Sequence, residues 1–241
     1  MSLQNIYTQP QILWSQLTEL DFFQMALAAM PILKVLKQCG QLKSCHLWVE
    51  HGEHRFPTLE SIGSEDIKLA HLRLLVVGGK ISQGNRFFAR LFVPSLADLC
   101  LTMEYPHAFA DVSAMLRASR TSLKIFQYDS NKATHLPEVL ELEDLLKSFP
   151  SLVELNSSLK FPSSTLERVF QRELLPRVEV LNCIVGMDEL DAFFSMLINR
   201  RSRPGSSCGL RKVWITFTED AKESGEERSQ SISDKYGITR V

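Results

Sequence analysis

Residues 12–23 read ILWSQLTELDFF, with Leu17, Leu20 and Phe22 in the order L-x-x-L-x-F. Glu19, Asp21 and Phe23 take the positions between and after them. An alternation of period two predicts a strand with one face buried and the other open. The pattern returns as LKSCHL at Leu42, LRLLVV at Leu72, LADLCL at Leu96 and LKIFQY at Leu123. It continues as LVELNS at Leu152, VEVLNC at Val178 and LRKVWI at Leu210. The intervals are 25, 30, 24, 27, 29, 26 and 32 residues. Between these phrases, residues 26–39, 109–119, 138–149 and 187–200 carry apolar side chains at three- and four-residue spacing, which predicts helices. Ser164 and Glu167 have the spacing of a capping box for a further helix over 165–174. Pro94, Pro150, Pro176 and Gly209 punctuate the returns to the next strand.

Eight strand phrases at a mean spacing of about 28 residues match the roughly 20–29-residue period of a leucine-rich repeat. One strand and one helix cannot bury an apolar face alone, so neighbouring units must stack and share a core. A doubly wound α/β domain also alternates strand and helix, but its strands are covered on both faces and read as continuous apolar runs. Here polar residues occupy alternate strand positions. The expected fold is therefore an α/β leucine-rich-repeat solenoid of about eight irregular repeats. Parallel strands line its concave face and helices its convex face. It forms a single domain over 1–241, with an N-terminal cap at 1–16, repeats at 17–218 and a C-terminal cap at 219–241. Residues 50–66 lack a helical period and suggest an insertion, and the helix in NRFFARLF is short.

Composition adds exclusions. With 27 basic and 28 acidic residues the net charge is −1, which offers no footprint for nucleic acid and no bias toward an anionic membrane. No apolar run reaches the ~20 residues of a membrane span, and the first residues do not have the layout of a secretory signal. Cys39, Cys45, Cys100, Cys183 and Cys208 are scattered and odd in number, which suits reduced, mostly buried thiols in cytoplasm or nucleus.

The candidates for chemistry fail on context. GSSCG at 205–209 matches a nucleophile elbow in letters, but a strand follows the serine where that elbow needs a helix. HGEH at 51–54 spaces its histidines three apart, where helical zinc ligands stand four apart. In VVGGKISQGN, Lys80 comes too early for a phosphate loop, and Gly78 and Gly79 are read as turning the chain out of a strand. Glu138, Glu141, Glu143 and Asp144 read as a solvated helix stripe. No catalytic residue, cofactor or metal site is expected.

The words WSQLTEL, VLKQCGQLKSC, VPSLADLCL, FPSLVEL, LLPRVEVLNC, MLINRR and LRKVWITF, in that order, resemble the leucine-rich-repeat half of fungal F-box proteins, especially those of mushroom-forming fungi. The similarity runs from Trp14 to Val241. In that family an F-box docks on a Skp-type adaptor of a cullin ubiquitin ligase, and the repeats hold the substrate. The chain departs from the family in having no F-box ahead of Trp14. HLPEVLELEDLL at 135–146 superficially resembles an F-box opening, but it stands where a repeat helix is required. The resemblance implies a protein-binding array, with the adaptor as a partner only if an F-box lies upstream. The alternative is a free-standing scaffold or a truncated product of the family.

Carrying the strand register along the array assigns a concave face. Its candidate residues are Glu19, Asp21, Phe23, His46, Trp48, Asp98 and Thr102, then Gln127, Asp129, Glu154, Asn156, Asn182, Lys212 and Trp214. Trp48 and Trp214 are the candidate anchors, because aromatic side chains bring large area with few rotors. The carboxylates favour a protein partner with basic character. A monomer is expected, with Ile6, Tyr7, Ile12 and Leu13 folded over the first layer; self-association at that end is the alternative. Deleting residues 1–13 should then lower solubility and the melting temperature, and unchanged values would count against the capping role.

Overall fold

The computed structural model describes residues 13–50, 66–81, 87–103, 109–130, 139–202 and 210–218. HGEH, GSSCG, Glu138, Ile6, Tyr7, Ile12 and the C-terminal cap 219–241 lie outside them. The described residues form a mixed α/β fold with five helices and a parallel sheet of eight strands. The strands of the sheet are β1 (Glu19–Ala28), β2 (Ser44–Glu50), β4 (Leu74–Gly79) and β6 (Asp98–Met103). Then come β7 (Ile125–Asp129), β8 (Glu154–Lys160), β9 (Val180–Val185) and β10 (Lys212–Phe217). They lie side by side in chain order without reversal, so the sheet lacks the switch point of a doubly wound fold. Two short strands, β3 (Ile67–Lys68) and β5 (Leu91–Phe92), pair apart from it.

Burial alternates along most of the central strands as the apolar pattern requires. In β2, Cys45, Leu47 and Val49 are fully buried while Ser44, His46 and Trp48 are half-exposed. The same alternation holds in β6, β8 and β9. The inward side chains share one core with the buried faces of α1 (Ala29–Leu36), α2 (Phe109–Ser119), α3 (Val139–Lys147), α4 (Ser163–Phe170) and α5 (Leu190–Ser202). None of the described helices covers the opposite face of the sheet, called the open face below.

Two hydrogen-bond devices set where each strand begins. In the first, a turn closes on the leading residue of the phrase. The amides of Leu17, Leu42, Leu72, Leu96, Leu152 and Val178 donate to the carbonyls of Trp14, Cys39, Leu69, Val93, Phe149 and Leu175. Pro94, Pro150 and Pro176 each occupy the second position of such a turn, where a fixed φ near −65° is what the turn needs. In the second device, one carbonyl accepts from two successive amides of the next strand. Thr18 takes Lys43 and Ser44, Lys43 takes Arg73 and Leu74, and Arg73 takes Ala97 and Asp98. Ala97, Lys124, Val153 and Glu179 do the same for the strands that follow.

The helical layer differs from the sequence expectations in several places. Residues 26–28, expected to be helical, extend β1, with Ala26, Leu27 and Ala28 paired to Trp48, Val49 and Glu50. The helix expected at 187–200 starts as a 3-10 turn, Met187–Glu189, before α5. The NRFFARLF segment contributes a 3-10 turn, Phe88–Arg90, and then β5. No capping box forms at Ser164: α4 starts at Ser163 after Pro162, with no side-chain cap, and the Ser163 hydroxyl donates to the Asp188 carbonyl instead. Glu143 is no part of a solvated stripe. It is buried, ion-paired with Arg168 of α4 and within 3.4 Å of the Thr165 hydroxyl that donates to it. Arg168 also holds Glu173 at 2.9 Å, and its guanidinium pKa is raised chiefly by that bond. Leu13, expected to cover the first layer, remains 59% exposed, while Trp14 and Leu17 pack on the core there. Among the described residues no helix is long and apolar enough to cross a membrane.

Gly78 and Gly79 belong to β4 rather than to a loop beyond it. Gly79 has φ +118°, and a Cβ there would lie 2.0 Å from the Val49 carbonyl oxygen of the adjacent strand. Backbone conformation and lack of space both demand glycine. Gly79→Ala should cost at least about 2 kcal/mol in denaturant unfolding, whereas an alanine at the open Gly40 should cost far less.

Candidate functional site

The in-register pairing lays the open-face side chains out in rows that cross the sheet, with strands about 4.8 Å apart. The first row runs Glu19, Ser44, Leu74, Asp98, Ile125, Glu154, Val180 and Lys212. The second runs Asp21, His46, Val76, Cys100, Gln127, Asn156, Asn182 and Trp214. In the third, Trp48, Gly78, Thr102 and Asp129 are consecutive. Beyond β8, Ile184 pairs with Thr216.

Two strands break this regularity. In β1, Phe22 faces Leu47 but Ala26 faces Trp48, so Phe23, Gln24 and Met25 bulge out of the ladder. The Phe23 amide donates to the Asp21 carboxylate at 2.9 Å, which fixes the start of the bulge. Phe23 therefore leaves the strand register, yet its ring meets Trp48 edge-on at 5.3 Å. The Trp48 ring lies over Gly78, where a Cβ would come within 2.5 Å of it. Any larger residue at Gly78 would displace Trp48. This tryptophan is thus packed among Phe23 and Gly78, with part of its surface still open.

In β8, Asn156 faces Asn182 but Lys160 faces Ile184, which adds two residues to β8. Ser158 turns its hydroxyl to accept from the Ser130 amide, and Ser157 accepts from the Leu159 amide. Next to the bulge is a depression of about 380 Å³ lined by Thr102, Gln127, Asp129, Asn156, Asn182 and Thr216, among others. A second depression, edged by Glu154 and Trp214, shares Asn156, Asn182 and Thr216 with it. The strand pattern indicates the amide row. Nothing in the apolar pattern of ELNSSLK indicates the bulge, because Leu155, Ser157 and Leu159 keep the inward alternation through it.

The electrostatics are mildly acidic. Burial first, and the nearby Glu154 carboxylate second, raise the Asp98 pKa. Glu154 accepts a hydrogen bond of 2.8 Å from the Asn156 amide. Among the described residues no cation forms an ion pair with Asp98, Asp129 or Glu154. The Lys212 ammonium lies 5.9 Å from the centre of the Trp214 ring. Lys160 is turned to Glu189, at 3.0 Å. Tyr128, in the floor, is pushed up to about 12 by burial, partly offset by a hydrogen bond with Ser130. No group of three or more metal-ligating side chains gathers among the described residues.

The thiols divide between the two faces. Cys45 and Cys183, inside, are pushed up to about 12 by burial. Cys100, half-exposed on the open face, is raised by burial and by Asp129, against a lowering hydrogen bond with Thr102. No family model, curated protein or solved structure matches the chain. In a Cys208→Ser background, iodoacetamide should modify Cys100 of the native protein and reach Cys45 and Cys183 only on unfolding, as read by peptide mass mapping. Faster modification of Cys183 than of Cys100 would contradict this arrangement of faces.

Proposed function

We propose that the chain is a protein-interaction module, a leucine-rich-repeat horseshoe whose concave sheet face receives a protein partner. One observation carries the reading: eight parallel strands in chain order place polar and aromatic side chains in common rows on a face that no described helix covers. The seven shared carbonyls, from Thr18 to Glu179, support stacked units, since they recur at the intervals of the strand phrases. The resemblance to fungal F-box proteins supports substrate recognition for a cullin-type ubiquitin ligase, in cytoplasm or nucleus. The module is non-enzymatic on this reading and binds through area and complementarity.

The test compares proteins captured by three tagged forms whose folding is checked by circular dichroism. The wild type and Glu167→Arg, on the exposed side of α4, should capture the same set. A Gln127→Arg, Asn182→Arg double variant should lose it. Capture that depends on α4 and ignores the open face would overturn the proposal. A Skp-type adaptor among the captured proteins would tie the chain to ubiquitin ligation, and capture without it would make the chain a free-standing scaffold.

A further inference from the structure

The two depressions on the open face share the side chains of Asn156, Asn182 and Thr216, so they form one groove from β6 to β10. Its floor is a row of three amides, Gln127, Asn156 and Asn182, on successive strands. Each primary amide offers both a donor and an acceptor, the pair that a peptide group needs. Asp129 stands at one end of the groove, and Glu154 and Trp214 at the other. Beyond Glu154, Asp98 sits two strands away across Ile125 in the first row.

Charge decides the occupant. Three carboxylates border the amide row, and no described cation pairs with any of them. Of the nearby basic groups, Lys212 stands at the Trp214 end, 5.9 Å from the centre of that ring and in no ion pair with Glu154, while Arg211 pairs with Glu179 at 3.2 Å and Lys124 stands in the turn before Ile125. Burial and, second, the Glu154 carboxylate oppose ionisation of Asp98, so a cation placed beside the two carboxylates offsets that repulsion. Resting on the open-face reading, we infer that this groove takes an extended segment of a partner protein carrying an arginine or lysine. The segment's backbone lies on the amides, its cationic side chain points to Glu154 on the Asp98 side, and an apolar neighbour covers Trp214. A guanidinium suits the place best, since its planar fork pairs with a carboxylate through two parallel hydrogen bonds.

The probes are two pools of short peptides, random except for a fixed central arginine in one and a fixed central citrulline in the other. Citrulline keeps the shape of arginine and removes its charge. The arginine pool should be retained on the immobilised full chain about fivefold more than the citrulline pool at low salt. It should also shift the backbone NMR signals of Gln127, Asn156 and Asn182. Asp98→Asn with Glu154→Gln should abolish the preference while the NMR spectrum stays that of the folded protein. Equal retention of both pools with shifts in the same rows would overturn the cationic assignment and leave the open-face reading intact. Shifts confined to the helices would overturn both. Shifts in the amide row from a neutral oligosaccharide, with none from either pool, would also overturn the inference.

Discussion

The shared carbonyl at the start of each strand is the constraint on which the rest of the structure depends. One oxygen accepts two successive amides from the next strand, and the next strand's own carbonyl repeats the arrangement, seven times from Thr18 to Glu179. A carbonyl has two lone pairs, so both donors are satisfied without a further partner. The bond pair sets height and direction together. All strands therefore start level, and side chains separated by 24 to 32 residues fall into common rows. The leucine or valine preceding each pair is driven inward by the hydrophobic effect, and at Leu42, Leu72, Leu96, Leu152 and Val178 a turn closes on it.

The open face inherits its character from that levelling. A row of like side chains arises whenever successive strands carry the same residue type at one register position. Gln127, Asn156 and Asn182 are such a row, while Trp48 and Trp214 belong to different rows at opposite sides of the sheet. The two tryptophans have different environments. Trp48 is held by Phe23 and by the missing side chain of Gly78, so much of its area is already used in the free chain. Both rings are half-buried, and of the two it is Trp214 that borders the groove, with the Lys212 ammonium 5.9 Å from the centre of its ring.

The strands and their faces were legible in the sequence because a period of two is a direct imprint of burial on one side. Leu99, Leu101 and Met103 point inward in β6 for the reason that makes them apolar. The amphipathic helices at 109–119 and 138–149 were legible for the same reason. What escaped was whatever depends on contact between elements distant in the chain. Glu143 has the composition of a surface residue, and only the approach of Arg168 and Thr165 lets it be buried. Gly78 looks like a turn residue until Trp48, thirty positions earlier, is seen above it. The bulge in β8 left no mark, because two added residues preserve the parity of inward and outward positions.

That parity has a consequence for how such a surface can vary through descent. Two residues enter β8 after Asn156, yet β9 and β10 still pair one-to-one from Lys212 to Phe217. An even insertion is absorbed within a single strand: the inner row keeps its leucines, and the downstream strands keep their places. An odd one, like the three residues at Phe23 to Met25, must be corrected within the bulge itself, here with the Asp21 carboxylate holding its first amide. The outline of the open face can therefore be redrawn in steps of two at little risk to the core. Changes of one or three residues need a neighbouring side chain able to take up the freed backbone group.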